Sequence, residues 1–222
     1  DGSTDKTAKV ARDHGVNHVI RLPENRGLAN AFAIGLENSL ALGADVIVNT
    51  DADNQYPGRA IADLIQPILD GTAEMVIGDR QIDQISHFSG TKKRLQKLGS
   101  WVVRWASGTN VPDTTSGFRA FTRQAAMQLN VFSNYTYTLE TIIQAGKKGI
   151  VVASVPIAAN PTPRRSRLID STLRYILRSA ATIIRIFLMY EALRVFLTLS
   201  ILPLLLGGLL LGRFGYFNII GE

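Results

Sequence analysis

Cysteine is absent from the chain, which excludes a disulfide scaffold, a thiolate metal site and a cysteine nucleophile. Histidine is scarce: His14, His18 and His87 are the only three. His14 and His18 stand four apart, but Gly15 follows His14 where an HExxH zinc helix needs Glu. These histidines therefore read as surface or loop residues. No stretch matches GxxxxGKS/T or GxGxxG, which argues against a P-loop kinase or an ordinary dinucleotide enzyme. No internal repeat and no low-complexity tract is present. The chain opens at Asp1 without methionine or signal peptide and stops at Gly221-Glu222, just past an apolar segment, so it reads as cut at both ends.

What is present is a sizeable apolar fraction, 46%, and a net charge of +6 on 222 residues. That length suits one ordinary domain with an appendage. The positive charge fits nucleic acid, an anionic membrane surface or a phosphorylated substrate. Its placement decides among them. Seven arginines (164, 165, 167, 174, 178, 185 and 194) face only Asp170 and Glu191 between residues 164 and 194. An uncharged run, Val195 to Gly212, follows. Eighteen residues at 1.5 Å each span about 27 Å, close to a hydrocarbon core of ~30 Å. Arg167, Arg174, Arg178 and Arg185 fall within about 40° on a helix, a basic stripe on an otherwise apolar surface. We therefore expect a basic interfacial helix over 164–194, a transmembrane helix over 195–212 and the start of a loop over 213–222. The arginine-rich flank precedes the span, which puts the preceding domain on the cytoplasmic side. Membrane, rather than nucleic acid, is the expected partner.

Residues 1–163 read as α/β. Helices are expected over Thr4–His14, Leu28–Leu42 and Pro57–Leu69, with strands at Val19–Leu22, Asp45–Thr50 and Glu74–Gly78. Farther on, Lys92–Ala106 and Tyr137–Lys147 read as helices and Ile150–Ile157 as a strand. Asp113–Thr122 reads as a loop running into a short strand. The continuous apolar run Val46-Ile47-Val48 suggests a strand buried on both faces of a parallel sheet.

That run ends in Asp51-Ala52-Asp53-Asn54-Gln55. Ligands of open α/β sheets bind beyond the carboxyl ends of the strands. The aspartates either cap the next helix or hold a hard divalent cation, with the Gln55 amide oxygen as a further ligand. An EF-hand is excluded, because its sixth position would be Tyr56 and its twelfth Ala62. Asp1-Gly2-Ser3-Thr4-Asp5 would lie at a second strand end. Two carboxylate-bearing loops at one sheet edge suit a nucleotide held by base and ribose, with its diphosphate on a metal.

Five segments in order carry a resemblance: DGSTDKT, NTDADNQYP, VIGDR, TSGFRAF and ETIIQAGKKGIVVASVPI. Together they resemble the family 2 glycosyltransferases of the GT-A fold, a Rossmann-like nucleotide-binding sheet. The nearest kind is the polyprenyl-phosphate glycosyltransferases, such as the dolichyl-phosphate mannosyltransferases. The family's first motif usually reads Asp-Asp-Gly-Ser, so Asp1 would be its second Asp. The family's preceding nucleotide-binding strand is not in this sequence, and of the two membrane helices common in such tails one is present.

The resemblance implies inverting, metal-dependent transfer of one sugar from a nucleoside-diphosphate sugar to an undecaprenyl or dolichyl phosphate. The setting would be the cytoplasmic face of a prokaryotic cell membrane, or an ER-like membrane; a homo-oligomer is compatible with it. It implies nucleotide-sugar contacts at Asp1, Asp51, Ala52, Asp53 and Arg80, with Mg²⁺ or Mn²⁺ on Asp51, Asp53 and Gln55. Arg80 and Arg119 would offset charge on the leaving diphosphate. Arg119, Arg164, Arg165 and Arg167 would hold the acceptor phosphate. Glu140 is either a base toward a sugar-hydroxyl acceptor or a residue that positions the acceptor loop. A nucleotidyltransferase is the other enzyme class compatible with metal-binding aspartates on an α/β sheet. Trp101-Val102-Val103-Arg104-Trp105 departs from the QxxRW motif of processive synthases at its first position and precedes the SGFR segment. It reads instead as an amphipathic helix near the acceptor entrance.

Overall fold

The computed structural model describes residues 1–81, 90–133, 136–160 and 172–221. They form two compact units, Asp1–Ile183 and Ile184–Glu222. In the first, α1 (Thr7–Asp13) and α2 (Leu28–Ala41) precede β1 (Val46–Asn49), α3 (Ala60–Leu69) and β2 (Met75–Asp79). Then come α4 (Gly90–Ser107), β3 (Arg119–Thr122), α5 (Arg123–Gln128), α6 (Thr138–Lys147) and β4 (Val152–Pro156). Helix α7 (Thr172–Ile220) begins in this unit and supplies the second.

The sheet order is β1-β3-β2-β4. β2 and β4 are parallel, but β3 lies antiparallel between β1 and β2, with Ile47 opposite Phe121 and Met75 opposite the same residue. This corrects the expectation of a parallel neighbour for β1. A continuous apolar run reports that both faces are covered, and it is silent on the direction of the neighbouring strand. Val19–Leu22 forms no sheet ladder with the described residues, because an apolar alternation supplies no partner by itself. With α1 and residues 1–3, these positions line a cavity of about 90 Å³.

Strand alternation sorts the core. From Phe118 and Ala120 one face of β3 packs with Leu64 of α3, Val76, Tyr56 and Ile157. From Arg119 and Phe121 the other face meets α2 and α6: the Phe32 ring lies 6.0 Å from Phe121, and Arg119 bonds to Thr138 and Thr141. Helix α4 packs on α6, and its residues Ser100, Val103, Ala106 and Ser107 are buried. The contact is close: a Cβ on Gly146 would stand 1.9 Å from the Ser107 carbonyl oxygen.

The second unit is helical and apolar, with Leu197, Leu204, Leu209 and Leu211 exposed along it. Ile176–Ile219 is long and apolar enough to cross a membrane. It contains the expected span 195–212. Pro203 lies inside the helix, and helical geometry breaks at Glu191 (φ −126°, ψ 30°), just before the uncharged run.

Gly146→Ala forces backbone apart at the α4–α6 contact and is expected to cost about 1–3 kcal/mol or more. Gly99→Ala, whose methyl meets nothing within 4 Å, is expected to gain up to about 1 kcal/mol from helix propensity. Chemical denaturation of the detergent-solubilised chain compares the two.

Candidate active site

β1 ends at Asn49, and the turn beyond it is tied down from several sides. Asp53 Oδ1 accepts from the Gln55 backbone N–H at 3.0 Å, a local turn that Asp favours. Asn54 takes a left-handed conformation (φ 60°), which Asn tolerates better than most residues. Asn160 closes the turn from after β4: its backbone N–H donates to the Gln55 carbonyl at 2.8 Å and its Nδ2 to the Asn54 carbonyl at 3.0 Å.

Asp51 lies half-buried against Gly117. A Cβ at Gly117 would approach Asp51 Oδ2 to 2.7 Å and the Tyr137 hydroxyl to 3.2 Å, so glycine is required for this approach. The Gly117 peptide is gripped at both ends. Its N–H donates to the Tyr56 hydroxyl at 3.3 Å, and its carbonyl accepts from Asn49 Nδ2 at 2.7 Å and from the Tyr137 hydroxyl at 3.4 Å. Tyr56 stacks on Phe118 and Tyr137 on Phe32, with ring centroids 5.0 and 3.8 Å apart. Burial pushes both phenols up, so they stay neutral.

The Asp51 carboxylate makes no hydrogen bond to a described residue. Burial first, and then the neighbouring Asp53, push its pKa up, against the pull of Arg80 and Arg119. A hard cation beside Asp51 and Asp53 would relieve both effects, and oxygen ligands suit Mg²⁺ or Mn²⁺. Among the described residues no third acidic or histidine side chain joins them. The donor set fits a divalent metal of this kind.

Other expected site residues fall elsewhere. Asp1 accepts from the Arg26 and Gly27 backbone N–H groups at 2.7 and 3.0 Å, tying the opening turn to the start of α2. Ala52 is exposed on the turn. Arg80 is committed to a buried ion pair: Nε and Nη2 reach the two Asp113 oxygens at 2.6 and 2.9 Å, and Nη2 reaches Thr115 Oγ1 at 2.7 Å. Burial raises the Asp113 pKa, but the Arg80 hydrogen bonds and charge, with Thr115, outweigh it and leave the carboxyl below its usual range.

Arg119 and Glu140, both expected at the site, are fully enclosed. Arg119 donates to the carbonyls of Ser116, Thr138 and Thr114 at 2.8, 2.8 and 3.0 Å, and to Thr141 Oγ1 at 2.7 Å. Burial pulls its pKa down to about 10, still charged at neutral pH. The Glu140 oxygens accept from the Phe132 and Ser133 backbone N–H groups, both at 3.0 Å. Arg164, Arg165 and Arg167 lie outside the described residues.

Sequence reasoning did not single out Asn49, Tyr137, Asp113 or Asn160. A signal existed for two: Asn49 is the one polar residue in the β1 run, and Asp113 opens the DTTSGFR segment.

Residues 1–129 match the profile of Glycosyl transferase family 2. The chain is 33% identical over 161 residues to a dolichyl-phosphate hexose transferase of Haloferax volcanii, covering 71% of this chain and 66% of that protein. It is 34% identical over 144 residues to a UDP-N-acetylglucosamine–dolichyl-phosphate N-acetylglucosaminyltransferase of Methanococcus voltae, covering 62% and 57%. The fold is similar to glucosyl-3-phosphoglycerate synthase from Mycobacterium tuberculosis, crystallised with Mn²⁺ and UDP-glucose. The TM-score is 0.60 at 19% identity, covering 85% of this chain and 65% of that one. The chain thus spans about two thirds or less of the length of these proteins.

Gly117→Ala is expected to displace the Asp51 carboxylate and weaken Mn²⁺ binding about 10–100-fold while leaving the fold intact. Titration calorimetry with a nucleoside diphosphate present reads this directly. Asp113→Ala strands the buried Arg80 charge and is expected to cost about 3–5 kcal/mol in denaturation. Because the folded pKa of Asp113 lies below its unfolded value, its contribution is complete at neutral pH. It fades as pH falls through the folded pKa, and Asp113→Asn is expected to flatten that acid limb.

Proposed function

Because the chain belongs to glycosyl transferase family 2, we propose that its parent moves one sugar from a nucleoside-diphosphate sugar onto a polyprenyl phosphate. The observation that carries this reading is the half-buried Asp51 carboxylate, without a hydrogen bond among the described residues, beside Asp53 at the end of β1. The lipid acceptor is supported by the two archaeal relatives, both named as dolichyl-phosphate sugar transferases, and by the apolar helix of the second unit.

The chemistry follows from the residues. When bound, Mg²⁺ or Mn²⁺ on Asp51 and Asp53, with the Gln55 amide oxygen, would offset charge on the departing diphosphate. The bond from the anomeric carbon to the diphosphate oxygen breaks, and its electron pair leaves with the nucleoside diphosphate. A lipid phosphate oxygen attacks the opposite face, so configuration inverts. That oxygen is already ionised near neutral pH and needs no strong base. The commitment of Glu140 to two backbone N–H groups accords with this. Asp1 and Arg80 shape the donor side, Asp1 by fixing the start of α2 and Arg80 by holding the 113–115 loop.

Arg119 positions Gly117 and thereby Asp51. Arg164, Arg165 and Arg167 are our candidates for the acceptor phosphate. The basic flank ahead of the apolar run supports a catalytic unit on the cytoplasmic face.

The test supplies the protein in membranes with polyprenyl phosphate and a panel of labelled nucleotide sugars. Label is expected in the organic phase with Mg²⁺ or Mn²⁺ and is expected to vanish with chelator. Asp53→Ala should lower turnover by about 10²-fold or more. Turnover indifferent to chelator and to Asp53→Ala would remove the metal from the mechanism. Label confined to water-soluble products would remove the lipid acceptor.

A further inference from the structure

The peptide joining Asn54 to Gln55 lies in the middle of the turn that carries the two aspartates, and both of its polar groups are taken. Its N–H, on Gln55, donates to Asp53 Oδ1 at 3.0 Å. Its carbonyl, on Asn54, accepts from Asn160 Nδ2 at 3.0 Å. The next carbonyl, that of Gln55, accepts from the Asn160 backbone N–H at 2.8 Å. One residue, 106 positions beyond Asn54, thus holds two consecutive carbonyls of the turn.

Peptide orientation matters here because a peptide turns as a rigid plate, with its carbonyl and N–H pointing opposite ways. If the Asn54 carbonyl turns away from Asn160, the Gln55 N–H turns away from Asp53 Oδ1 and that carboxylate is free to swing. Asn54 stands at φ 60°, a conformation that a residue with a side chain keeps only where its surroundings hold it. Asn160 is itself anchored. Ile157, three residues earlier, shares a buried cluster with Tyr56, the residue after Gln55. The Ile157 N–H donates to the Asp79 carbonyl at the end of β2, at 2.8 Å. The hold on the turn is therefore tied to the sheet.

We propose that Asn160 is a positioning residue for the candidate metal ligands Asp53 and Gln55. By fixing the 54–55 peptide it sets the direction of the Asp53 carboxylate, and by fixing the Gln55 carbonyl it sets where the Gln55 side chain starts. Groups that orient metal ligands in this way govern affinity without touching the metal. The inference rests on the metal reading under the proposed function, and its test separates the failure of one from the failure of the other.

The detergent-solubilised full chain is titrated with Mn²⁺ in the presence of uridine diphosphate, and free Mn²⁺ is read from its electron paramagnetic resonance signal. Asn160→Ala and Asn160→Leu both remove the side-chain donor and keep the backbone N–H, and the leucine also keeps the bulk. Each is expected to weaken Mn²⁺ binding about 10–100-fold. In the transfer assay the Mn²⁺ concentration for half-maximal turnover should rise by the same factor, while the KM for polyprenyl phosphate at saturating Mn²⁺ stays unchanged. Thermal unfolding without metal reports the stability of each variant separately. A lowered Tm with Mn²⁺ affinity unmoved would make Asn160 a merely structural residue and overturn the proposal. Wild-type binding of Mn²⁺ that Asp53→Ala weakens and neither Asn160 variant changes would overturn it too, leaving the metal assignment standing. Binding that Asp53→Ala leaves unchanged would remove the metal assignment, and this inference with it.

Discussion

A buried guanidinium must find acceptors for its N–H groups, and Arg119 finds them on two separate stretches of chain. Ser116 and Thr114 lie on the loop before β3, and Thr138 and Thr141 on α6. Leaving such a charge unpaired inside the protein would cost several kcal/mol, so loop and helix are held in one arrangement. That arrangement sets the height of Gly117, and Gly117 sets where the Asp51 carboxylate can stand. The loop beside the candidate metal ligands is thus held by a fully enclosed cation. Tyr56, Tyr137 and Asn49 reinforce the same peptide with neutral groups, which add no charge to a site that already carries two carboxylates.

This division of labour explains what could be read in advance. Asp51 and Asp53 were legible because they interrupt an apolar run at a strand end, a pattern local enough to see in ten residues. Helices α2, α4 and α6 were legible to within a few residues at each end, because each carries its apolar spacing and a glycine or capping signal close by. The antiparallel β3 was not. Strand direction depends on which segment arrives beside β1, and that segment begins 70 residues after Asn49, at Arg119.

Arginines were the hardest residues to place. An arginine after Ser-Gly-Phe looks like a ligand contact, and one at the end of β2 looks the same. In both cases the partner is distant in sequence: Asp113 for Arg80, and Thr138 and Thr141 for Arg119. Alternation along β3 sends Arg119 to the face covered by α6, and no local pattern shows which helix covers that face. Glu140 is the counterpart on α6. It looks available for acid–base work, yet it is consumed by the backbone of residues 132 and 133. The general physical reason is that burial of a charge depends on tertiary neighbours, whereas propensity and periodicity report only nearby residues.

The strand order has a consequence for how the protein is made. As the chain emerges during synthesis, β1 appears early, but its described ladder partner ends at Thr122 and is far behind it. β2 waits for the same strand on one side and for β4, ending at Pro156, on the other. Neither early strand can pair with the other, because β3 lies between them. Helices α2 and α3 can form as they are synthesised, whereas the sheet closes late and over long loops, at the entropic cost of high contact order. Until then the apolar run of β1 has an open edge, the kind of surface that invites wrong pairing and that chaperones cover.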